Sequence, residues 1–377
     1  MSRIDHRALR GYEAVFVGGG LSALSLLAEL AADPPRSIAV VEPLHPLEQP
    51  TVHWSYWSPE KLPYDRCAIG AWERASVRGG RPEEISPFTL RLVRSTEVLA
   101  YLLGELRSLP IEWFRVPARS VERRPDGLYE VSAGPHTLLA EWVFDSASGL
   151  APEFPESRGP RAVLGGPGLR VRSDRPVFDA GTANLFDPLD ERSFAYLLPL
   201  TPSEALLESA SFGPVPAEQS PEPLLDHLRK RYPAARFEVI SAEHGSIPLG
   251  FAPRKTAGPR HVLLGAKRGL VKPSAGYGVA NIARESRHLA RLWREGSPLP
   301  RVRKPERRWR ALDASFLRLA ARDSRLPALL LDRVMRRAPL ADCLGFIDET
   351  LPPRRLLPLA LAALPAVLPG RRPLKLD

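Results

Sequence analysis

Tyr12-Glu13-Ala14-Val15-Phe16-Val17-Gly18-Gly19-Gly20-Leu21-Ser22-Ala23-Leu24 is the first apolar run of the chain, and Ile38-Ala39-Val40-Val41-Glu42 follows it after the turn Asp33-Pro34-Pro35. A strand, a glycine turn, an amphipathic helix and a second strand tipped by an acid form a dinucleotide-binding βαβ unit. Gly18 permits the tight turn, Gly20 lets the backbone approach a diphosphate, and Ala23 is small enough for the helix to pack on the strand. The free amides at the helix start, from Leu21 onward, favour the diphosphate charge. Glu42 is placed to accept hydrogen bonds from ribose hydroxyls. An acid there, rather than Arg or Lys, argues against a 2′-phosphate, so FAD or NAD fits better than NADP. The bland alternative, a βα turn that binds nothing, leaves the spaced acid without a purpose.

The rest of the chain alternates in character. Leu47–Pro87 reads as loop-rich and aromatic, with Trp54, Tyr56, Trp57, Tyr64 and Trp72. Ser95–Leu109 has helical spacing, and Ile111–Phe144 reads as short strands with a hairpin turn at Asp126-Gly127. A second β-rich region runs from Leu164 to Pro248, broken by a helix at Pro223–Arg231. His261–Gly265 is a buried strand feeding the loop Gly269–Gly278 and a helix from Val279 to about Glu295. That late strand–loop–helix would bring a second helix amino terminus to the cofactor, which favours FAD over a simple NAD enzyme. The expected fold is therefore α/β: a Rossmann-type FAD-binding domain, glutathione-reductase or aromatic-hydroxylase-like, with an inserted β-rich substrate domain and C-terminal helices. Residues 1–60, 88–150 and 255–297 are assigned to the first, 61–87 and 151–254 to the second, and 298–377 to the helices.

Composition narrows the function. The 377 residues are 44% hydrophobic and 25% charged, which is globular. The net charge of +10 is spread along the chain without a recognition motif, so nucleic acid is not expected, and anionic lipid is the better partner. Two cysteines, Cys67 and Cys343, lie far apart and fit a reducing cytoplasm. The eight histidines lack metal-ligand spacing, and no metal is expected. No apolar run reaches the ~18 residues that span a bilayer. Leu356–Pro369 is uncharged but Pro-broken, flanked by Arg354-Arg355 and Arg371-Arg372, and suits peripheral contact with a membrane interface; short helices packed into the protein are the alternative.

Several segments together resemble the lycopene cyclases of bacteria and plants. Val17-Gly18-Gly19-Gly20-Leu21 matches that family's flavin βαβ start, and His53-Trp54-Ser55-Tyr56-Trp57 resembles its histidine–tryptophan–serine–aromatic motif. Phe194–Pro202 followed by Leu206-Leu207-Glu208-Ser209-Ala210-Ser211-Phe212 is similar to the strand pair that carries the essential Glu. Gly269-Leu270-Val271-Lys272-Pro273-Ser274-Ala275-Gly276-Tyr277-Gly278 resembles the closing loop of the family. Two departures stand out: Ser209 and Ala210 replace a second acid and a Thr, and Ser146-Ala147-Ser148-Gly149 stands where an Arg-Gly pair is usual.

The resemblance implies a redox-neutral lycopene β-cyclase, an enzyme of the isomerase or intramolecular lyase class in carotenoid biosynthesis. It would use FAD in its reduced form, with NAD(P)H as reductant. A ψ-end of lycopene is protonated, the cation is captured by a neighbouring double bond, and proton loss leaves a ring. Protonating an alkene needs a carboxyl held neutral until use, which an apolar pocket provides. Glu208, behind Ala205-Leu206-Leu207 and before Phe212, is the expected acid, although an outward-facing strand carboxylate has the same local pattern. Cation stabilisation falls to reduced flavin and to aromatic faces, with Trp54, Tyr56, Trp57 and Tyr277 as candidates, and His53, Trp54, Tyr56, Trp57 and Phe212 are expected to line the substrate pocket. His53 is a candidate for proton relay, or simply a packing residue. Lys272 could compensate flavin or phosphate charge, or lie in solvent, and Pro273, Gly276 and Gly278 complete the cofactor loop. A redox-active isoprenoid reductase or monooxygenase of the same fold is the runner-up. A non-catalytic flavin- or carotenoid-binding paralogue is the third reading, encouraged by the two departures.

Overall fold

The strand Arg10–Val17 lies inside a seven-stranded sheet, in the order Ile111–Phe114, Ile38–Val41, Arg10–Val17, His136–Asp145, Tyr129–Ala133, Ala118–Arg123. The first four strands run parallel. His136–Asp145 is long enough to serve two partners on its far side. Its first half pairs antiparallel with Tyr129–Ala133, and residues 143–145 pair parallel with His261–Leu263. The structure, a computed structural model, describes residues 10–147, 161–213, 220–251, 255–303 and 306–367.

The apolar run of the first strand is continuous because both of its faces are covered. Ala14 and Phe16 face one core, with Leu24 and Leu27 of the helix Leu21–Leu30 and Ala283 and Leu289 of the helix Val279–Arg294. Val15 and Val17 face the other, with Phe114, Tyr129 and Val131. All four strand residues are fully buried, and Val15, Phe16 and Val17 each contribute roughly 1.5–3 kcal/mol through that burial. The glycine turn is thereby fixed at the carboxyl end of the parallel strands, where open α/β sheets bind ligands.

A second sheet runs in the order Phe237–Leu249, Ala162–Ser173, Glu204–Phe212, Ser193–Pro199, Ala183–Pro188, Arg74–Val77, Glu83–Glu84. Its two faces separate by residue parity. Ala205 and Leu207 pack with Leu224 and Leu228 of the helix Glu222–Arg231. Leu206, Ala210 and Phe212 face the opposite way, toward a core shared with Trp309, Phe316, Met335 and Leu344 of the C-terminal helices. Glu208 has the second parity and faces inward.

Three expectations need correction. Leu47–Pro87 is not mainly loop: His53–Ser58 and Ala68–Trp72 flank Thr89–Arg94 in a third sheet, and Arg74–Val77 and Glu83–Glu84 extend the second. These strands are short and paired with distant segments, so local alternation did not reveal them. The helix from Ser95 ends at Glu105 rather than at Leu109, which precedes Pro110. The described part of the tail is one helix, Pro353–Val367, that runs through Pro358 rather than the alternative pair of short helices. Ser148, Gly149, Leu368, Pro369, Arg371 and Arg372 lie outside the described residues.

Candidate active site

At the nucleotide end, Gly18 has φ +97°, and a Cβ there would sit 2.2 Å from Ser146 Oγ. Only glycine meets both conditions. A Cβ on Gly20 would meet nothing within 4 Å among the described residues, so the backbone at the helix start borders open space, as a diphosphate requires. Ala23 is fully buried beneath the turn, and Leu21 packs its side chain at the edge of the helix-side core. Glu42 follows the second strand, and its Oε2 accepts a hydrogen bond from Gly19 N at 2.8 Å. These residues fit the adenosine diphosphate part of a dinucleotide. Among the described residues, no group of three or more His, Cys, Asp or Glu could hold a metal ion.

The closing loop is tied by three backbone bonds, Lys272 N to Tyr277 O and Gly276 N to Lys272 O at 2.8 Å each and Ala275 N to Lys272 O at 3.1 Å. Gly276 has φ +77°, and its missing Cβ leaves room for Leu164. The Lys272 side chain is neither free for a flavin nor in solvent. Its Nζ is fully buried, 3.1 Å from Asp313 Oδ2 and 3.2 Å from Glu349 Oε1, and lies over the rings of Trp309 and Phe346. Its charge is spent on anchoring the loop to the C-terminal helices. Pro273 is buried beside it, while Gly276, Tyr277 and Gly278 face a cavity.

That cavity, of about 380 Å³, lies between the loop, the strand His53–Ser58 and the inner face of the second sheet. His53, Trp54, Ser55, Gly168, Tyr196, Glu208, Glu243, Tyr277 and Val279 all reach it. The ladder explains the grouping. Glu208 lies opposite Tyr196 on one side and Gly168 on the other, and Gly168 lies opposite Glu243, so one register row crosses four strands. Residues opposite one another share a face. Glu208 is partly accessible, through the cavity it lines. Burial pushes its carboxyl up to about 8, and the nearby charge of Glu243 adds to the rise. It is therefore a neutral acid near pH 7.

The aromatic surroundings are ordered. Tyr277 packs against Trp57 with ring centroids 4.0 Å apart and planes tilted by 45°, and it lines the cavity beside Tyr196 and Ser55. Burial, then the charge of Glu208, holds the Tyr277 phenol in its neutral form. His53 Nδ1 is 2.8 Å from Glu243 Oε2, and the His53 amide donates to the same carboxylate.

Two expected pocket residues lie elsewhere. Tyr56 alternates to the nucleotide side of its strand, where its hydroxyl donates to Asp65 at 2.9 Å within the helix-side core. Phe212 shares the parity of Glu208 but sits four residues further along, packed on Phe316 with centroids 5.0 Å apart. Trp57 reaches the site through Tyr277 rather than by lining the cavity. Conversely, Glu243, Tyr196 and Gly168 were not singled out in the sequence. The run Gly165-Gly166-Pro167-Gly168 inside a strand was the available signal, because glycine there marks close approach. A Cβ on Gly165 or Gly166 would fall 2.3 Å and 2.4 Å from backbone oxygens of neighbouring strands.

The parallel sheet, the glycine turn and the second helix amino terminus define a Rossmann-type flavoprotein fold, and solved structures share it. They include a geranylgeranyl bacteriochlorophyll reductase-like protein from Thermoplasma acidophilum, with TM-score 0.55 and 13% identity over 95% of this chain and 98% of that one. HpxO of Klebsiella pneumoniae, solved as a variant with FAD, gives TM-score 0.57 and 12% identity over 90% and 98%. The p-nitrophenol 4-monooxygenase PnpA of Pseudomonas putida DLL-E4 gives 0.52 and 15% over 97% and 100%. Identities this low establish the fold alone. Curated proteins give no match. Residues 13–367 match the family described as lycopene cyclase protein. The chain belongs to the lycopene cyclase family.

Proposed function

We propose that this protein is a flavin-dependent lycopene cyclase that converts ψ-ends to β-rings without net electron transfer. The observation that carries the reading is Glu208, a carboxyl on the inner face of the second sheet, neutral below about pH 8 and opening on the cavity. Its proton goes to the terminal alkene of the ψ-end. The neighbouring double bond closes on the resulting cation, and loss of a ring proton regenerates a neutral product. Trp54 and Tyr277, the latter backed by Trp57, present aromatic faces to the cavity side where positive charge develops. Tyr196, Tyr277 and Ser55 form the wall around the acid.

Gly18, Gly20, the start of the Leu21–Leu30 helix and Glu42 would hold the diphosphate and ribose of FAD, with Gly276, Tyr277 and Gly278 bordering the flavin. FAD, reduced at the expense of NAD(P)H, would supply negative charge beside the developing cation.

The polyene is drawn from lipid in this reading. Among the described residues no helix is long and apolar enough to cross a membrane. The helix Pro353–Val367 presents Leu357 and Leu361, 65% and 54% exposed, one turn apart beside Arg354, which suits peripheral contact.

Expression in a lycopene-accumulating host tests the function. Ring-bearing carotenoids are expected with the natural sequence and none with Glu208→Gln, while the purified variant still carries flavin. Unchanged lycopene with the natural sequence would overturn the cyclase reading. Hydrogenated products would favour the reductase instead, whose fold one structural neighbour shares.

A further inference from the structure

Glu208 is not the only carboxyl in the cavity. Glu243, on the edge strand Phe237–Leu249, lines it too, and both residues lie opposite Gly168 in the ladder. Two strand spacings, roughly 10 Å, separate their backbones, and Gly168 puts no side chain between them. Glu243 leans into that gap. A Cβ on Gly168 would lie 2.9 Å from Glu243 Cγ and 3.3 Å from its Oε1. The carboxylate is held from the other side by His53, whose amide donates to it at 3.2 Å and whose Nδ1 lies 2.8 Å away. His53 Nε2 is buried and has no hydrogen-bond partner among the described residues. The titratable groups facing the pair are His53, His244, Tyr196 and Tyr277, and no Lys or Arg among the described residues lines the cavity.

We propose that Glu243, oriented by His53, is a second catalytic carboxylate, which takes the proton released on ring formation and returns it to Glu208 across Gly168. The inference rests on the cyclase reading and deepens it. The balance closes within the site. The Glu208 proton forms a C–H bond with the terminal alkene carbon, and the electron pair of the second alkene forms the ring bond. A ring C–H bond then breaks, its electrons forming the ring double bond and its proton going to Glu243. Transfer from Glu243 to Glu208 restores the starting state, and no electron leaves. A charge on Glu243 opposes ionisation of Glu208.

The test compares wild type, Glu243→Gln and Gly168→Ala as purified, flavin-reconstituted proteins. Product analysis with lycopene is paired with an infrared titration of the Glu208 carboxyl, identified by its absence in Glu208→Gln. For Glu243→Gln, ring formation is expected to fall by roughly 100-fold or more, as for loss of a general base, or to shift to ring isomers formed by proton loss elsewhere. The Glu208 titration is expected to move to lower pH. Gly168→Ala keeps both carboxyls and displaces Glu243, so it is expected to slow turnover while binding flavin normally, which covers the case of a Glu243→Gln protein that does not fold. Wild-type rate and ring type in both variants, with an unmoved titration, would overturn the proposal. If wild type itself formed no rings, the cyclase reading would fall, and the proposal with it.

Discussion

Replacing Glu208 by Gln has a stability consequence that can be worked out in advance. Folding raises this carboxyl from an ordinary 4.5 to about 8, chiefly by burial and then by the charge of Glu243. The folded chain therefore holds the proton more tightly than the unfolded chain. Stability contributed below pH 4.5 is lost as pH rises toward 8, with a slope of about 1.4 kcal/mol per pH unit and a total of roughly 5 kcal/mol. Glutamine has the same shape and no proton to lose. The variant is therefore expected to gain on wild type as pH rises, by roughly 2 kcal/mol between pH 6 and pH 8. Other buried acids, such as Asp313 and Asp348, whose carboxyls are also raised by burial, are common to both proteins and cancel in the difference. Urea unfolding at pH 6, 7, 8 and 9, with equal m-values, reads that difference directly. Parallel pH profiles for the two proteins would refute a neutral, buried Glu208.

Lys272→Met leaves Asp313 and Glu349 buried without this cation, and chemical denaturation is expected to show a loss of about 3–5 kcal/mol; full stability with lost flavin would instead assign the lysine to the cofactor. Gly18→Ala forces a methyl group against Ser146 at φ +97°, so flavin content after reconstitution is expected to drop while far-UV circular dichroism stays native; full loading would contradict the placement of the diphosphate. The double substitution Leu357→Glu and Leu361→Glu is expected to reduce co-sedimentation with anionic vesicles, and undiminished binding would remove the helix Pro353–Val367 from the membrane account.

The parts of this protein that a sequence reveals are those set by short-range rules. The first βαβ unit is legible because a strand buried on both faces, a turn that demands glycine and a spaced acid each restrict the residues allowed. The strand–loop–helix at 261–294 is legible for the same reason, and Glu208 is found by motif and then placed inward by the parity it shares with Leu206 and Ala210. Long-range pairing is not written locally. Glu243 enters the site only because its strand aligns with Gly168, through a register that shifts between Arg170 and Val171. Lys272 lies in a loop that would suit a phosphate ligand, yet its partners come from Asp313 and Glu349, far along the chain. Tyr56 and Trp57 are adjacent in an aromatic run, and only the pairing of His53–Ser58 with Thr89–Arg94 decides which ring faces which core.

One isotope experiment bears on the core of the account. Lycopene is incubated anaerobically in D2O with the protein and its reduced flavin, and the product is analysed by mass spectrometry. With the protein pre-exchanged in D2O and in excess over lycopene, so that each molecule turns over once, a carboxylic acid at position 208 that starts the cyclisation should leave one deuterium in each ring formed, with no stoichiometric consumption of reductant. Rings without the label, or one reducing equivalent spent per product, would mean that some other group and some other chemistry act on the polyene.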